Sequence, residues 1–131
     1  MALLTPLFSA IAPFVLWPVE LFFPYPAIIE ELTKGALVYL IFKAPKNMQI
    51  KLVILSGIFF SISETALYLF NIYFSGELYI LGVRLVATTF MHLVTFLIIF
   101  TFGRKSLKLL SVGVLAAIAV HELFNLYVSA N

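Results

Sequence analysis

The chain has no cysteine. Disulfide bonds, thiolate metal ligands and a cysteine nucleophile are therefore excluded. Charge is also scarce, because only 11% of the 131 residues are charged. An ordinary soluble domain carries about 25% charged residues. The composition therefore excludes a conventional soluble fold.

A third absence concerns the first part of the chain, which has no lysine or arginine before Lys34. A secretory signal peptide needs a basic region ahead of its apolar stretch. We therefore expect the first apolar segment to stay in the protein. This segment contains Pro6, Pro13 and Pro18, which remove backbone donors and kink a helix unless neighbours satisfy the freed carbonyls. It is expected to be bent or partly re-entrant.

Apolar residues dominate what is present, at 63% of the chain with a mean hydropathy of +1.14. Spans of about 20 apolar residues cross a bilayer as helices. The pattern predicts an all-α integral membrane bundle of about five transmembrane helices in one domain, residues 1–131. The first span is expected at the periphery, and the core is expected over residues 27–129. The five segments are residues 3–23, 27–43, 51–74, 79–102 and 108–129.

Six of the eight cations flank two of the predicted loops. The loop between these two carries only Glu77. Positive charge accumulates in cytoplasmic loops, so the pattern predicts a cytoplasmic N-terminus and an outer C-terminus. We assign these cations to topology in preference to lipid or nucleic-acid recognition. They are Lys43, Lys46, Lys51, Arg104, Lys105 and Lys108.

Five residues able to move protons or bind a metal lie inside the apolar segments. An ionisable group at such depth costs on the order of 2.5 to 3.5 kcal/mol, which makes each one a candidate functional residue. They fall on four predicted helices and at similar depth, in the outer half or near the midplane. The sequence therefore predicts one shared site, formed by Glu30, Glu31, Glu64, His92 and His121.

Three further polar residues are expected to support this site. Lys34 follows Glu30 and Glu31 at helical spacings of four and three, so it can neutralise one carboxylate. Arg84 could hold a carboxylate in a bidentate grip. Asn125 shares a helix face with His121 and could orient the imidazole or bind a reacting oxygen. The competing interpretations are a helix start at the membrane interface for the glutamates, an arginine reaching outward, and histidines that only join helices.

The charge balance leaves two mechanisms open. Four glutamates, with Glu122 included, face two cations, so a net charge of −2 would stay in a low-dielectric interior. Either some carboxylates are protonated or a divalent cation completes the balance. Glu64, His92 and His121 with one open position fit a catalytic Zn²⁺. Glu30 or Glu31 could then deprotonate the metal-bound water.

Four motifs in order resemble those of the PrsW-type intramembrane proteases, and more distantly the type II CAAX prenyl endopeptidases and bacteriocin-processing relatives. They are Glu30-Glu31 with Lys34, residues 57–68 with Glu64, residues 84–92, and residues 121–125. The resemblance implies a membrane peptidase. Glu30 and Glu31 would supply the water-activating carboxylate, Glu64, His92 and His121 would complete the centre, and Asn125 would stabilise the oxyanion.

The predicted function is hydrolysis of a peptide bond in a membrane-anchored protein or peptide, in a prokaryotic cell membrane. The bilayer is the other expected partner, and no nucleic acid is expected. Two alternatives stay open at this point. The same residues could form the relay of a proton- or ion-coupled transport component. They could also hold helices together in a non-catalytic membrane scaffold.

Overall fold

The computed structural model describes residues 1–75 and 78–130, and the predicted outer loop around Glu77 lies outside them. The described chain is helical throughout, with turns between the helices. A short 3₁₀ turn, Ala2–Leu4, leads into five α-helices. The all-α prediction is confirmed. The helices are α1 Thr5–Glu20, α2 Pro26–Ile41, α3 Lys46–Ser75, α4 Leu78–Gly103 and α5 Leu107–Ala130.

Four of the described helices are long and apolar enough to cross a bilayer, as in a multi-pass membrane protein. The exception is α2, whose 16 residues extend only about 24 Å against a hydrocarbon core of about 30 Å. The sequence predicted about five spans, and four of the helices have the length and apolar composition that a span needs. The spans are Ala2–Glu20, Lys46–Leu69, Leu81–Gly103 and Leu107–Ser129.

The short helix α2 lies inside the bundle and contacts α1, α3, α4 and α5. Proline at its first position suits a helix start, because the missing N–H would have no partner there. Its buried residues recur at the spacing of one helix face. The polar members of this face lie in its first half and the apolar members in its second half. The face comprises Ala27, Glu30, Glu31, Lys34, Gly35, Leu37, Val38 and Ile41.

The first helix runs without a break through Pro13 and Pro18, so α1 is one helix and not a re-entrant pair. Pro6 lies in its first turn, where a proline costs no hydrogen bond. This helix packs against α3 and α2. Its last residue, Glu20, is thereby placed beside the polar half of α2.

Close packing joins the two last helices. A Cβ atom on Gly113 of α5 would lie 2.9 Å from Cβ of Phe102 and 3.1 Å from Cα of Ile99 on α4. Ala117, one turn later, is also fully buried. This small-residue pair is used inside the chain, where it lets α4 and α5 approach each other. This close packing places α4, which carries His92, directly beside α5, which carries His121.

Candidate functional site

A buried chain of hydrogen bonds connects four helices. Its centre is Lys34 on α2, whose ammonium group is fully buried. The Nζ atom lies 2.5 Å from Glu31 Oε1, 2.7 Å from His92 Nδ1 and 3.1 Å from Thr95 Oγ1. The rings of Phe60 and Phe96 lie 4.9 and 5.8 Å from the same atom and close the cation off from lipid.

The lysine contact determines the proton position on His92. An ammonium group has only donors, so Nδ1 of His92 accepts the hydrogen bond from Lys34. A neutral imidazole with an accepting Nδ1 carries its proton on Nε2. That Nε2–H donates to Oε2 of Glu64 on α3. The order Lys34, His92, Glu64 therefore links α2, α4 and α3.

The second branch of the chain runs through Glu31. Its Oε1 atom accepts from Lys34 and also lies 2.7 Å from Nδ1 of His121 on α5. A carboxylate only accepts, so Nδ1 of His121 carries a proton and donates this hydrogen bond. The sequence allowed Asn125 either to orient this imidazole or to bind a reacting oxygen. In the structure, the hydrogen bond that orients the imidazole goes to Glu31.

The two adjacent glutamates have different surroundings. Glu31 is fully buried and joins Lys34 and His121. Glu30 is 7% exposed, and its Oε2 atom is buried without a hydrogen-bond partner, 4.0 Å from Nδ1 of His121. Neighbouring residues on a helix point about 100° apart. Glu31 therefore joins the hydrogen-bond chain through Oε1, and its own Oε2 atom is unpartnered, whereas Glu30 makes no hydrogen bond through Oε2.

Arg84 does not form the expected bidentate grip. Its Nη2 atom lies 4.0 Å from Glu64 Oε1, and its Nε atom is buried without a partner. The guanidinium carbon lies 3.7 Å from the centre of the Tyr68 ring, so the arginine stacks on this tyrosine. The bidentate prediction was wrong because stacking on Tyr68 turns the guanidinium plane away from a two-point contact.

A small acid-lined cavity lies on the α1 side of the cluster. We call it the acid cavity, and its volume is about 60 Å³. This volume has room for several water molecules at about 10 to 15 Å³ each, and its carboxylates supply partners for them. Its lining residues are Pro13, Trp17, Glu20, Glu30, Glu64, Leu67 and Tyr68.

Glu20 was missed from the sequence because it ends the first span and has no helical neighbour of opposite charge. Its position at the end of an apolar segment was the signal that could have marked it. The buried hydrogen bonds of Thr95 and Ser61 were also not expected. Thr95 accepts from Lys34, and Ser61 joins Thr88 at 3.2 Å between α3 and α4.

A larger opening, the α4–α5 cleft, lies on the other side of the cluster and has a volume of about 480 Å³. Its walls are mostly apolar, with four chargeable or amide side chains at its base. Glu64 lines both the acid cavity and this cleft. The lining residues are Glu64, Val83, Arg84, Ala87, Thr88, Met91, His121, Phe124, Asn125, Val128 and Ser129.

Three of the clustered residues could hold a metal ion. Glu30, Glu64 and His92 each offer one ligand atom, and these atoms lie within 4.8 Å of one another. The sequence predicted Glu64, His92 and His121 as the metal ligands. In the structure Glu30 takes the third position, because His121 is hydrogen-bonded to Glu31. A metal at Nε2 of His92 would need that nitrogen without a proton, whereas Lys34 at Nδ1 keeps the proton there. Zn²⁺ binding by these residues stays a prediction, and a metal at Nε2 would replace the hydrogen bond between His92 and Glu64.

No family model, curated protein or solved structure matches this chain. The resemblance to PrsW-type proteases therefore depends on the four motifs alone. The geometry adds that all eight residues singled out from the sequence lie around one cluster and one cleft. They are Glu30, Glu31, Lys34, Glu64, Arg84, His92, His121 and Asn125.

Proposed function

We propose that this protein is an intramembrane peptidase that hydrolyses a peptide bond of a membrane-anchored substrate. The observation that carries the proposal is the position of Glu64, which lines the acid cavity on one side and the α4–α5 cleft on the other. Water and an apolar peptide can therefore approach the same carboxylate from opposite sides. A peptide bond held in the cleft would meet water held in the cavity.

In this mechanism Glu30 is the general base. Its Oε2 atom is buried and has no partner, so it is free to accept a proton from a water molecule in the acid cavity. The water oxygen attacks the carbonyl carbon, and the protonated Glu30 then gives its proton to the leaving amine. Glu31 is less suited to this step, because Lys34 and His121 bind its Oε1 atom and its side chain does not line the acid cavity.

The oxyanion of the tetrahedral intermediate would be stabilised from the cleft. Asn125 and Arg84 both line the cleft and both carry N–H donors. Glu64 is held by His92 and lies 4.0 Å from Arg84, which keeps the cation near the reacting carbonyl. The hydrogen bond from His121 to Glu31 orients this imidazole, which also lines the cleft.

The substrate assay tests the proposal in a defined membrane. Purified protein in liposomes is expected to cleave a single-pass test substrate into two products, which mass spectrometry identifies. Ala87→Phe, which fills the cleft, should lower the cleavage rate about 10²-fold because the peptide bond is displaced from the base. The matched control is Val86→Phe on the same helix, since Val86 is 72% exposed and does not line the cleft.

Two outcomes of this assay would contradict the proposal. Equal losses in Ala87→Phe and Val86→Phe would show that the cleft does not bind the substrate. Proton flux across the liposomes without any cleavage of a panel of substrates would favour the transport alternative.

Metal content tests the mechanism separately. Because the Lys34 contact keeps a proton on His92 Nε2, we expect the purified enzyme to stay active after treatment with a chelator and to hold well under one Zn²⁺ per chain. Elemental mass spectrometry gives the metal content. One Zn²⁺ per chain, lost together with activity on chelation, would overturn the metal-free mechanism. Loss of that Zn²⁺ in Glu30→Gln but not in His121→Ala would place the ion on Glu30, Glu64 and His92.

A further inference from the structure

The charges of this chain are separated along its length. The sequence contains six acids, and none of them lies in residues 32–63 or 78–121. The six cations of the two basic loops therefore have no acidic neighbour along the chain. The ends of α2 and α4 and the starts of α3 and α5 bring these two loops together around one cavity. This end of the molecule carries a concentrated positive charge.

The cavity, which we call the basic cavity, has a volume of about 830 Å³ and lies away from the hydrogen-bonded cluster. Small-molecule sites in proteins have volumes of about 300 to 1,000 Å³. Two cations line the basic cavity, one from each basic loop, and the described lining contains no acid. The lining residues are Tyr39, Phe42, Lys46, Gln49, Ile50, Phe100, Gly103, Arg104, Ser106 and Leu107.

The walls of the basic cavity are held in place by local contacts. The rings of Phe42 and Phe100 stack at 5.5 Å between centroids. Gly103 permits this packing, because a Cβ atom there would lie 2.9 Å from the Phe42 ring. Gln49 donates from Nε2 to the carbonyl oxygens of Phe42 and Ala44, at 3.2 and 3.0 Å, and so fixes the turn before Lys46.

The two cations are positioned differently. Arg104 follows the last residue of α4, and its guanidinium carbon lies 5.4 Å from the centre of the Phe100 ring. Lys46 is the first residue of α3 and is exposed. Ser106, at the start of α5, accepts a hydrogen bond from the backbone N–H of Leu109 at 3.1 Å. The cavity thus combines apolar aromatic walls with two cations that have solvent access.

We infer that the basic cavity binds the phosphodiester headgroup of an anionic phospholipid, so that two of the cations assigned to topology from the sequence, Lys46 and Arg104, also recognise lipid. Each of the helices around it, other than α2, is long and apolar enough to span the bilayer, so their ends lie at headgroup level. Basic pockets between transmembrane helices bind anionic lipid headgroups. The aromatic and apolar walls suit the glycerol and first acyl carbons, while Lys46 and Arg104 pair with the phosphate. A soluble phosphate compound would use only the two cations.

Lipid binding can be measured by native mass spectrometry in a neutral detergent. Titration with phosphatidylglycerol is expected to give one tightly bound lipid, and phosphatidylcholine none. Lys46→Gln/Arg104→Gln should weaken phosphatidylglycerol binding about tenfold or more, because each cation contributes to the attraction of an anionic headgroup. The matched control removes two exposed cations of the same end that do not line the cavity, as Lys51→Gln/Lys108→Gln, and should weaken binding less than about threefold.

Competition experiments distinguish a phospholipid from a soluble phosphate compound as the ligand of the basic cavity. Inorganic phosphate and glycerol phosphate are expected not to displace the lipid, and displacement at equal concentration would assign the cavity to a soluble ligand and overturn the inference. Equal losses in the two double variants would show diffuse attraction and would also overturn it. If Lys46→Gln/Arg104→Gln fails to fold, the charge-retaining Lys46→Arg/Arg104→Lys variant must still bind phosphatidylglycerol, and loss of binding in that variant refutes the site.

Discussion

Glu30→Gln should abolish peptide cleavage while the protein remains folded. Glutamine has nearly the shape of glutamate but cannot take a proton from water, so turnover should fall about 10²- to 10⁴-fold. The Oε2 atom of Glu30 has no hydrogen-bond partner, so the substitution breaks no contact there. The free energy of unfolding should stay unchanged or rise. Cleavage of the single-pass test substrate and thermal unfolding in detergent provide the two measurements.

Two further variants test whether the effect of Glu30→Gln is specific to this carboxylate. Glu122→Gln removes another partly buried glutamate with an unpartnered oxygen, outside both the acid cavity and the cleft, and should retain turnover within about twofold. Glu31→Gln should lose both turnover and stability, because Lys34 and His121 lose their carboxylate. Full activity in Glu30→Gln would refute its assignment as the base. Loss of activity without loss of stability in Glu31→Gln would move that role to Glu31.

Lys34→Met should have the largest effect on stability. The ammonium group is fully buried and contacts Glu31, His92 and Thr95, so its loss leaves the buried Glu31 carboxylate without its cation and with His121 as its remaining hydrogen-bond partner. Breaking a buried pair in this way costs about 3 to 5 kcal/mol. We expect the free energy of unfolding to fall by this amount in a denaturant titration of the detergent-solubilised protein.

A double variant separates charge from packing. In Lys34→Met/Glu31→Gln neither buried charge is left alone, so the double variant should be more stable than either single variant. Lys51→Met, at an exposed position on α3, is the matched control and should change stability by less than about 0.5 kcal/mol. If the double variant loses the sum of the two single losses, Lys34 and Glu31 do not act as a pair.

The helices were largely predictable from apolar segments. Each of the five predicted segments overlaps one observed helix, because a backbone in lipid must satisfy its own hydrogen bonds. The segment 27–43 was predicted to be a span and differs from the other four. It corresponds to α2, which ends at Ile41 and is too short to be counted among the spans. Its role as the central helix was not apparent from hydropathy, because burial by neighbouring helices does not need the length that lipid demands.

The prolines of α1 show a second limit. Pro13 and Pro18 each remove a backbone donor, and the sequence favoured a bend or a re-entrant segment. The structure retains one helix through both positions. Neighbouring helices can satisfy freed carbonyls in a membrane protein, and that support depends on tertiary packing. The residues around each proline in the sequence therefore do not indicate whether the helix continues through it.

Within the site, residue identity was accessible from sequence and pairing was not. Glu30 and Glu31 are chemically equal in the sequence, and only the packed helices decide that Lys34 and His121 bind Glu31 while Glu30 lines the acid cavity. Arg84 has the chemistry for a carboxylate grip, yet Tyr68 takes its guanidinium face. These differences arise from side-chain directions across helices, which helical spacing constrains only within one helix.

By itself, the amino-acid sequence determined that this chain is a helical membrane protein with a few ionisable residues in an apolar setting. Solvation explains this, because an apolar segment of about 20 residues with few charges is stable in a bilayer as a helix, and both properties can be seen in the sequence. Tertiary structure decided that Lys34 and His121 bind Glu31, that Glu30 lines the acid cavity, and that Glu64 lines both this cavity and the α4–α5 cleft. Hydrogen bonds act over about 3 Å, so contacts between residues distant in the chain exist only once the helices have packed.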